Sequence, residues 1–502
     1  MSVRYHAIVA ALLLSGCTVG PDYQRPSVAV PKQWHQAATV AVSAQPDKWW
    51  QAFHDPILNR LMSEAIAANL DLKQALNRVK DARAQRAAIF AAALPSATAK
   101  SNVSRRLNNV TSPSQSGGTS GGFGVGNQLI TIFQSGFDAQ WELDFFGGIK
   151  RTAENADAAV DSEIENSRDI LVTLLGDVAK NYIGLRASQQ ELAITRKLLQ
   201  RQQETQKLTE IRQQSGLANS LEVTQAQAQA ATTEAQLPIY ERNIQLSVHT
   251  LSLLLDREPG ALTVRLADEH PIPSITDHLI PALPSELLKR RPDIRRAERQ
   301  MAAASAAIGI ATAELYPKIN LSAFLGLQNT HLTDVTPIGK SWSTAASLSL
   351  PIFNWGRLKA NIKSKEVQFD AAFLTYQATV LGAFKEVEDA LVAHSKEQAR
   401  YLALTQAVTA NQLAVHLAEE RYQKGLTSFI EVLQSQQASY QTESALIEST
   451  ATRSSQRVAL YKALGGGWQT EPRVSDICRD CEKNLAEHIH DYTKTTSQTV
   501  PH

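Results

Sequence analysis

Mostly apolar residues recur at every seventh position along two long stretches of the chain. In the first stretch these are Ile164, Leu171, Val178, Leu185, Leu192 and Leu199; in the second, Phe373, Val380, Val387, His394, Tyr401, Val408, Val415 and Tyr422. No proline occurs from Gly147 to Leu237 or from Ile352 to Glu471, so each stretch predicts a long helix with coiled-coil-like packing. A helix over 148–214 would be roughly 100 Å long at a rise of about 1.5 Å per residue. Gly216 and Gly425 mark the turns where each long helix ends and a return helix begins.

A second period, of two residues, marks strands. Phe137, Ala139, Trp141, Leu143 and Phe145 alternate with Asp138, Gln140, Glu142 and Asp144. Ile319 to Leu327 and Trp342 to Leu350 repeat the pattern, and a weaker partner lies around Ser96 to Arg105. Such alternation over about ten residues suits either an outer-membrane strand or a half-buried strand of a soluble sheet. Each strand pair follows an Ala-rich helical run, Asn69 to Ala92 or Arg291 to Ala313, and leads directly into a long helix.

The two stretches also match in detail. Arg212-x-x-x-Gly216-Leu217-x-x-x-Leu221-Glu222-Val223-x-Gln225-x-Gln227 returns 209 positions later, without a gap, as Arg421-x-x-x-Gly425-Leu426-x-x-x-Ile430-Glu431-Val432-x-Gln434-x-Gln436. The duplicated unit is therefore a whole architectural half: helix, strand, strand, long helix, turn, helix.

Composition narrows the class. The 502 residues are 43% hydrophobic and 20% charged, with a net charge of +1 and no basic stripe or arm, which argues against nucleic acid as a partner. Near the start, Arg4 precedes the apolar run Ala7 to Leu14 and then Ser15-Gly16-Cys17, a signal peptide whose ending resembles a bacterial lipobox. Acylation of Cys17 would anchor the mature chain, since each buried CH₂ contributes about 0.8 kcal/mol. Thr18 in place of Asp fits sorting to the outer membrane. No later stretch is apolar enough for a transmembrane helix, so any crossing must be made by strands. Four strands leave open edges that hydrocarbon does not tolerate, and three copies would supply about twelve strands and a bore.

Together these motifs resemble the TolC-like outer-membrane factor family, specifically its lipidated branch associated with resistance-nodulation-division pumps. Carrying the resemblance are Cys17-x-x-Gly20-Pro21-Asp22-Tyr23, Trp49-Trp50-x-x-Phe53-x-Asp55-Pro56-x-Leu58-x-x-Leu61, Arg291-Pro292-Asp293-Ile294 and the duplicated turns. It implies a mainly α fold with a membrane β-barrel: a homotrimer with about twelve strands in the outer membrane and about twelve helices in a periplasmic α-barrel. The corresponding divisions are 1–16 as signal peptide, 17–55 as lipidated segment and equatorial belt, 56–270 and 271–467 as the two repeats, and 468–502 as the tail. Within the repeats, strand pairs are expected over 96–145 and 318–352, a helix over 285–314, long helices over 148–214 and 356–424, and return helices over 218–255 and 427–464.

Functionally, the resemblance implies a passive exit duct for drugs or other small toxic compounds, supplied by an inner-membrane pump through a periplasmic adaptor. Such a duct is not an enzyme and needs no cofactor; the chain carries no phosphate-binding loop. Family members narrow at the helical turns, which places Glu431 and Gln434 at the pore gate. Three Glu431 carboxylates would repel one another and favour cations, while the neutral Gln434 departs from the usual second acidic ring. Tyr422 and Glu222 match positions that latch the closed state in some relatives, where Thr427 replaces an arginine. Gly216, Leu217, Gly425 and Leu426 are the expected adaptor contacts. Other readings are heavy-metal efflux, type I protein secretion, or a structural coiled-coil lipoprotein without a pore. Cys478-x-x-Cys481 with His488 and His490 suits a disulfide or free dithiol better than a metal site, and Gly118-Thr119-Ser120-Gly121-Gly122 lacks the strand-turn-helix setting of a nucleophile elbow.

Overall fold

A computed structural model describes residues 18–35, 47–113, 123–275, 284–331 and 340–470. Cys17, the Gly118 to Gly122 string, and Cys478, Cys481, His488 and His490 lie outside the described residues.

Helices dominate. In chain order they are α1 (Pro56–Ala68), α2 (Leu70–Ala92), α3 (Gly148–Gln214), α4 (Ser220–Glu234), α5 (Leu237–Leu254), α6 (Pro284–Arg290), α7 (Pro292–Ala313), α8 (Arg357–Gln423) and α9 (Phe429–Ala463). The two long helices, α3 and α8, have 67 residues each, as the proline-free heptads lead one to expect. The return helices differ from each other. α9 runs unbroken for 35 residues, whereas the helix expected over 218–255 is interrupted between α4 and α5. The cause is Pro238, which has no N–H and whose ring crowds the carbonyl four residues earlier. The corresponding second-half position is Ile447, which leaves α9 intact.

Four strands, β1 (Ser96–Pro113), β2 (Phe123–Leu143), β3 (Lys318–Asn329) and β4 (Lys340–Ser349), form one antiparallel sheet in the order β1-β2-β3-β4. β1 extends well past the weak pattern at Ser96 to Arg105, because its full length pairs with β2 from Ser96↔Gln140 to Pro113↔Phe123. The register aligns apolar residues in rows. Ala99 pairs with Phe137, Phe137 with Leu325, and Leu325 with Trp342. Phe137, Leu325 and Trp342 are all at least 64% exposed, so this face has no cover among the described residues.

The chain divides into two compact units, each drawing on both sequence halves. One contains residues 1–27, 78–163 and 297–376, and includes the sheet. There the segment after Cys17 is pinned by Arg151, which donates to Val19 O at 3.1 Å, Gly20 O at 3.2 Å and Asp22 Oδ1 at 2.7 Å. Gly20 packs so closely that a Cβ on it would lie 2.5 Å from Gly309 Cα. Tyr23 Oη donates to Glu298 Oε1 at 2.6 Å. Burial alone would raise the Glu298 pKa, but hydrogen bonds from Arg299 and Tyr23 hold it below its ordinary value.

The other unit contains residues 28–77, 164–296 and 377–502. Its core explains the tryptophan motif: Trp49, Trp50, Phe53, Leu58 and Leu61 are all buried, with Trp49 stacked on Tyr461 at 5.4 Å. Asp55 caps α1 through Ile57 N and Leu58 N, and accepts a further bond from Tyr182 Oη at 2.8 Å. Arg291 of the Arg-Pro-Asp-Ile motif reaches Asp293, Glu386 and Ala463 O. Both motifs are thus accounted for as packing devices.

Candidate functional site

The two helical turns have the same backbone construction. At the end of α3, Gly216 has φ 74° while Leu217 N bonds Arg212 O at 2.7 Å and Gly216 N bonds Gln213 O at 2.9 Å. At the end of α8, Gly425 has φ 70°, Leu426 N bonds Arg421 O at 2.8 Å, and Gly425 N bonds Tyr422 O at 3.0 Å. These paired bonds are a Schellman termination, and the left-handed residue explains why glycine stands at both turns. The leucine after each glycine points away from the chain: Leu217 is 70% exposed and Leu426 66%. Leu221 and Ile430 are exposed beside them.

After each turn the caps diverge. Asn219 Oδ1 accepts from Glu222 N at 2.9 Å and starts α4, while Ser428 starts α9 without a side-chain cap. Thr427 Oγ1 instead donates to the Glu431 carboxylate one turn on. Glu431 and Gln434 are both exposed. Position 427, where some relatives carry an arginine, is therefore occupied in orienting Glu431.

Tyr422 is buried, but not against Glu222. Its hydroxyl meets Thr209 Oγ1 at 3.4 Å, and the Glu222 side chain has no hydrogen-bond partner among the described residues. A further contact between the two hairpins near the turns comes from Arg212. Its guanidinium lies 4.7 Å over the Tyr422 ring, and its Nη1 donates to Tyr422 O at 3.1 Å. Phe429 packs 5.7 Å from the same ring, and Tyr422, Phe429, Val432 and Ala226 form a buried cluster flanked by Leu208 and Ala418. Arg212 opened the sequence repeat, but nothing in its spacing singled it out from Arg421. The only sequence sign of this contact was the aromatic pair of the second copy, Tyr422 and Phe429, standing where the first has Gln213 and Ser220.

Farther along the hairpins lies a polar layer. Glu191 accepts from Ser444 at 2.9 Å, Thr195 meets Tyr440 at 3.0 Å, and Tyr440 meets Tyr240 at 3.2 Å. Burial is the main reason the Glu191 pKa is raised. His394 sits buried in the α8 heptad seam, and burial together with Arg457 and Arg453 lowers its pKa to about 4. It is a neutral packed histidine. No group of acidic, histidine and cysteine side chains suited to a metal ion occurs among the described residues.

Known proteins share this architecture. The Outer membrane efflux protein family profile matches residues 61–257 and 283–466, taking in both hairpins and the sheet. The solvent efflux pump outer membrane protein SrpC of Pseudomonas putida is 33% identical over 93% of this chain and 99% of its own length. The pyoverdine export outer membrane protein OpmQ of Pseudomonas aeruginosa is 32% identical over 94% of this chain and 98% of its own. Among solved structures, the outer-membrane channel OprN superposes with a TM-score of 0.82 at 32% identity, covering 90% of this chain and 100% of OprN. With both hairpins and the sheet matched, this chain belongs to the outer membrane efflux protein family and is an outer-membrane efflux channel that extends into the periplasm.

Proposed function

We propose that three copies of the chain form a passive duct through which small organic toxic compounds leave the cell. An inner-membrane pump would deliver them through a periplasmic adaptor. The observation that carries this reading is the open sheet with its exposed row Phe137, Leu325 and Trp342. A four-stranded sheet with two free edges satisfies its backbone in hydrocarbon only by closing with other sheets, and three copies make about twelve strands. The duct performs no covalent chemistry; the pump supplies the energy.

In this assembly Cys17 carries the lipid that tethers each copy. Glu431, oriented by Thr427, and Gln434 line the narrowing at the turns, and the neutral Gln434 weakens cation preference there. Tyr422 latches the hairpins through Arg212 and Thr209, and Glu222 is left to face outward. Leu217 and Leu426, held outward by Gly216 and Gly425, offer an apolar rim to the adaptor. The substrate class is supported by relatives named for solvent and pyoverdine export.

The test is a strain lacking this gene, with purified protein examined in parallel. Dye and solvent accumulation should rise in the deletion strain and return to normal on complementation, and the detergent-solubilised protein should have trimer mass and conduct in planar bilayers. A monomer that never conducts would overturn the duct.

A further inference from the structure

Side chains alternate between the two faces of the sheet, so the register also defines the face opposite Phe137, Leu325 and Trp342. That face is polar. It carries Gln134, Gln140, Ser322 and Ser343, and Lys100 Nζ pairs there with Asp138 Oδ2 at 3.2 Å. Phe324, directly opposite Asp138, is the one aromatic side chain on it among the described residues.

Two glycines make a seat for this ring. Gly136 and Gly326 pair directly across β2 and β3, on the same face as Phe324. A Cβ on Gly136 would lie 2.6 Å from Gly326 Cα and 2.9 Å from Phe324 Cε2, and one on Gly326 would lie 2.6 Å from Gly136 Cα and 2.8 Å from Phe324 Cζ. The ring is therefore folded down over the glycine pair and does not stand off the sheet. Glycine inside a strand is unfavourable by roughly 0.5–1 kcal/mol relative to alanine, and it marks a place where another group approaches closely. Phe324 is half-buried, covered on the side of the wall and open on the other. A bulky side chain standing off the wall of a bore would narrow it, whereas a ring laid on glycines adds apolar surface without taking width.

Resting on the trimeric duct reading above, which turns this polar face toward the bore, we propose that Phe324 is a contact for planar aromatic compounds in transit through the barrel. One ring from each copy offers an open π face at the same level of the wall, and a passing aromatic compound stacks on it. The polar side chains around the ring add no further apolar contact, so the compound is held briefly and released.

Single-channel recording with the planar aromatic dye ethidium, added on the barrel side, tests this. The wild type should show brief blocks of current. In Phe324→Leu, which still covers the glycines, the blocks should shorten by about fivefold while the unblocked conductance stays the same. Phe324→Tyr keeps the ring and should match the wild type. A second measurement needs no variant: phenol in excess should suppress the ethidium blocks of the wild type, and cyclohexanol, of the same shape without the π face, should not. Blocks of unchanged length in Phe324→Leu, blocks shortened as much in Phe324→Tyr, or equal suppression by cyclohexanol would each overturn the proposal. A channel that conducts but is never blocked overturns this inference alone, whereas a protein that never conducts overturns the duct reading and the inference with it.

Discussion

At the scale of single residues, the tip depends on one guanidinium and one aromatic ring. Arg212 both stacks on Tyr422 and bonds its carbonyl, so the two side chains should be coupled. In a double-mutant cycle with Arg212→Met and Tyr422→Leu, read from thermal stability, the coupling should be roughly 1 kcal/mol. Additive effects would mean the contact is incidental. Tyr422→Phe removes only a hydroxyl at 3.4 Å from Thr209 and should have a far smaller effect. His394 gives a pH dependence with a definite sign. Its folded pKa of about 4 lies below the usual histidine range, so the unfolded chain binds the extra proton first. The stability it confers is complete above about pH 6.5 and falls away as the pH drops toward 4. Thermal melting should therefore show a loss between pH 7 and 5 that is smaller in His394→Leu, where Arg453 and Arg457 remain but the titrating ring is gone.

At the scale of elements, the turns and the return helices show how local chemistry shaped the fold. Gly216 and Gly425 hold left-handed conformations that an L side chain adopts at a cost of about 1–2 kcal/mol. Gly216→Ala and Gly425→Ala should therefore fray their turns, seen as faster hydrogen exchange at Leu217 and Leu426, with the helices intact. Most of this was readable in advance. Heptads, the absence of proline and the position of each glycine located α3, α8 and their ends, because all three act within a few residues along the chain. The break at Pro238 was equally local, since proline removes a hydrogen bond within its own turn. β1 was harder to read: its far end has little alternation of its own and is a strand because β2 pairs with it. The latch also lay beyond sequence reading. Glu222 lies just after the first turn and Tyr422 just before the second, but which side chain fills the gap between the hairpins depends on how the helices are rotated. That rotation brought Arg212 and Thr209 to the ring instead.

At the scale of the whole molecule, the exposed row across the sheet makes a prediction about the membrane. Leu325 lies between Phe137 and Trp342 on the uncovered face, so Leu325→Arg should destabilise the inserted protein by about 2–4 kcal/mol if lipid covers that face near the bilayer centre. The readout is the yield of heat-modifiable trimer on gels, and an unchanged yield would argue that the face meets protein or water. Cys17→Ala should abolish incorporation of labelled palmitate; retention of label would place the anchor elsewhere. The sequence alone determined that the chain is duplicated, that each half is strands joined to a helical hairpin, and that both hairpins end in the same glycine-leucine turn. These features are written in periods and spacings, which depend only on neighbours along the chain. Tertiary structure alone decided what the two halves do to each other. It set the row of apolar side chains across four strands, the use of Thr427 to orient Glu431, and the clamp of Arg212 on Tyr422. Two copies of one motif can differ in role only when they are packed together, because burial and partner choice belong to the packed pair and not to either copy.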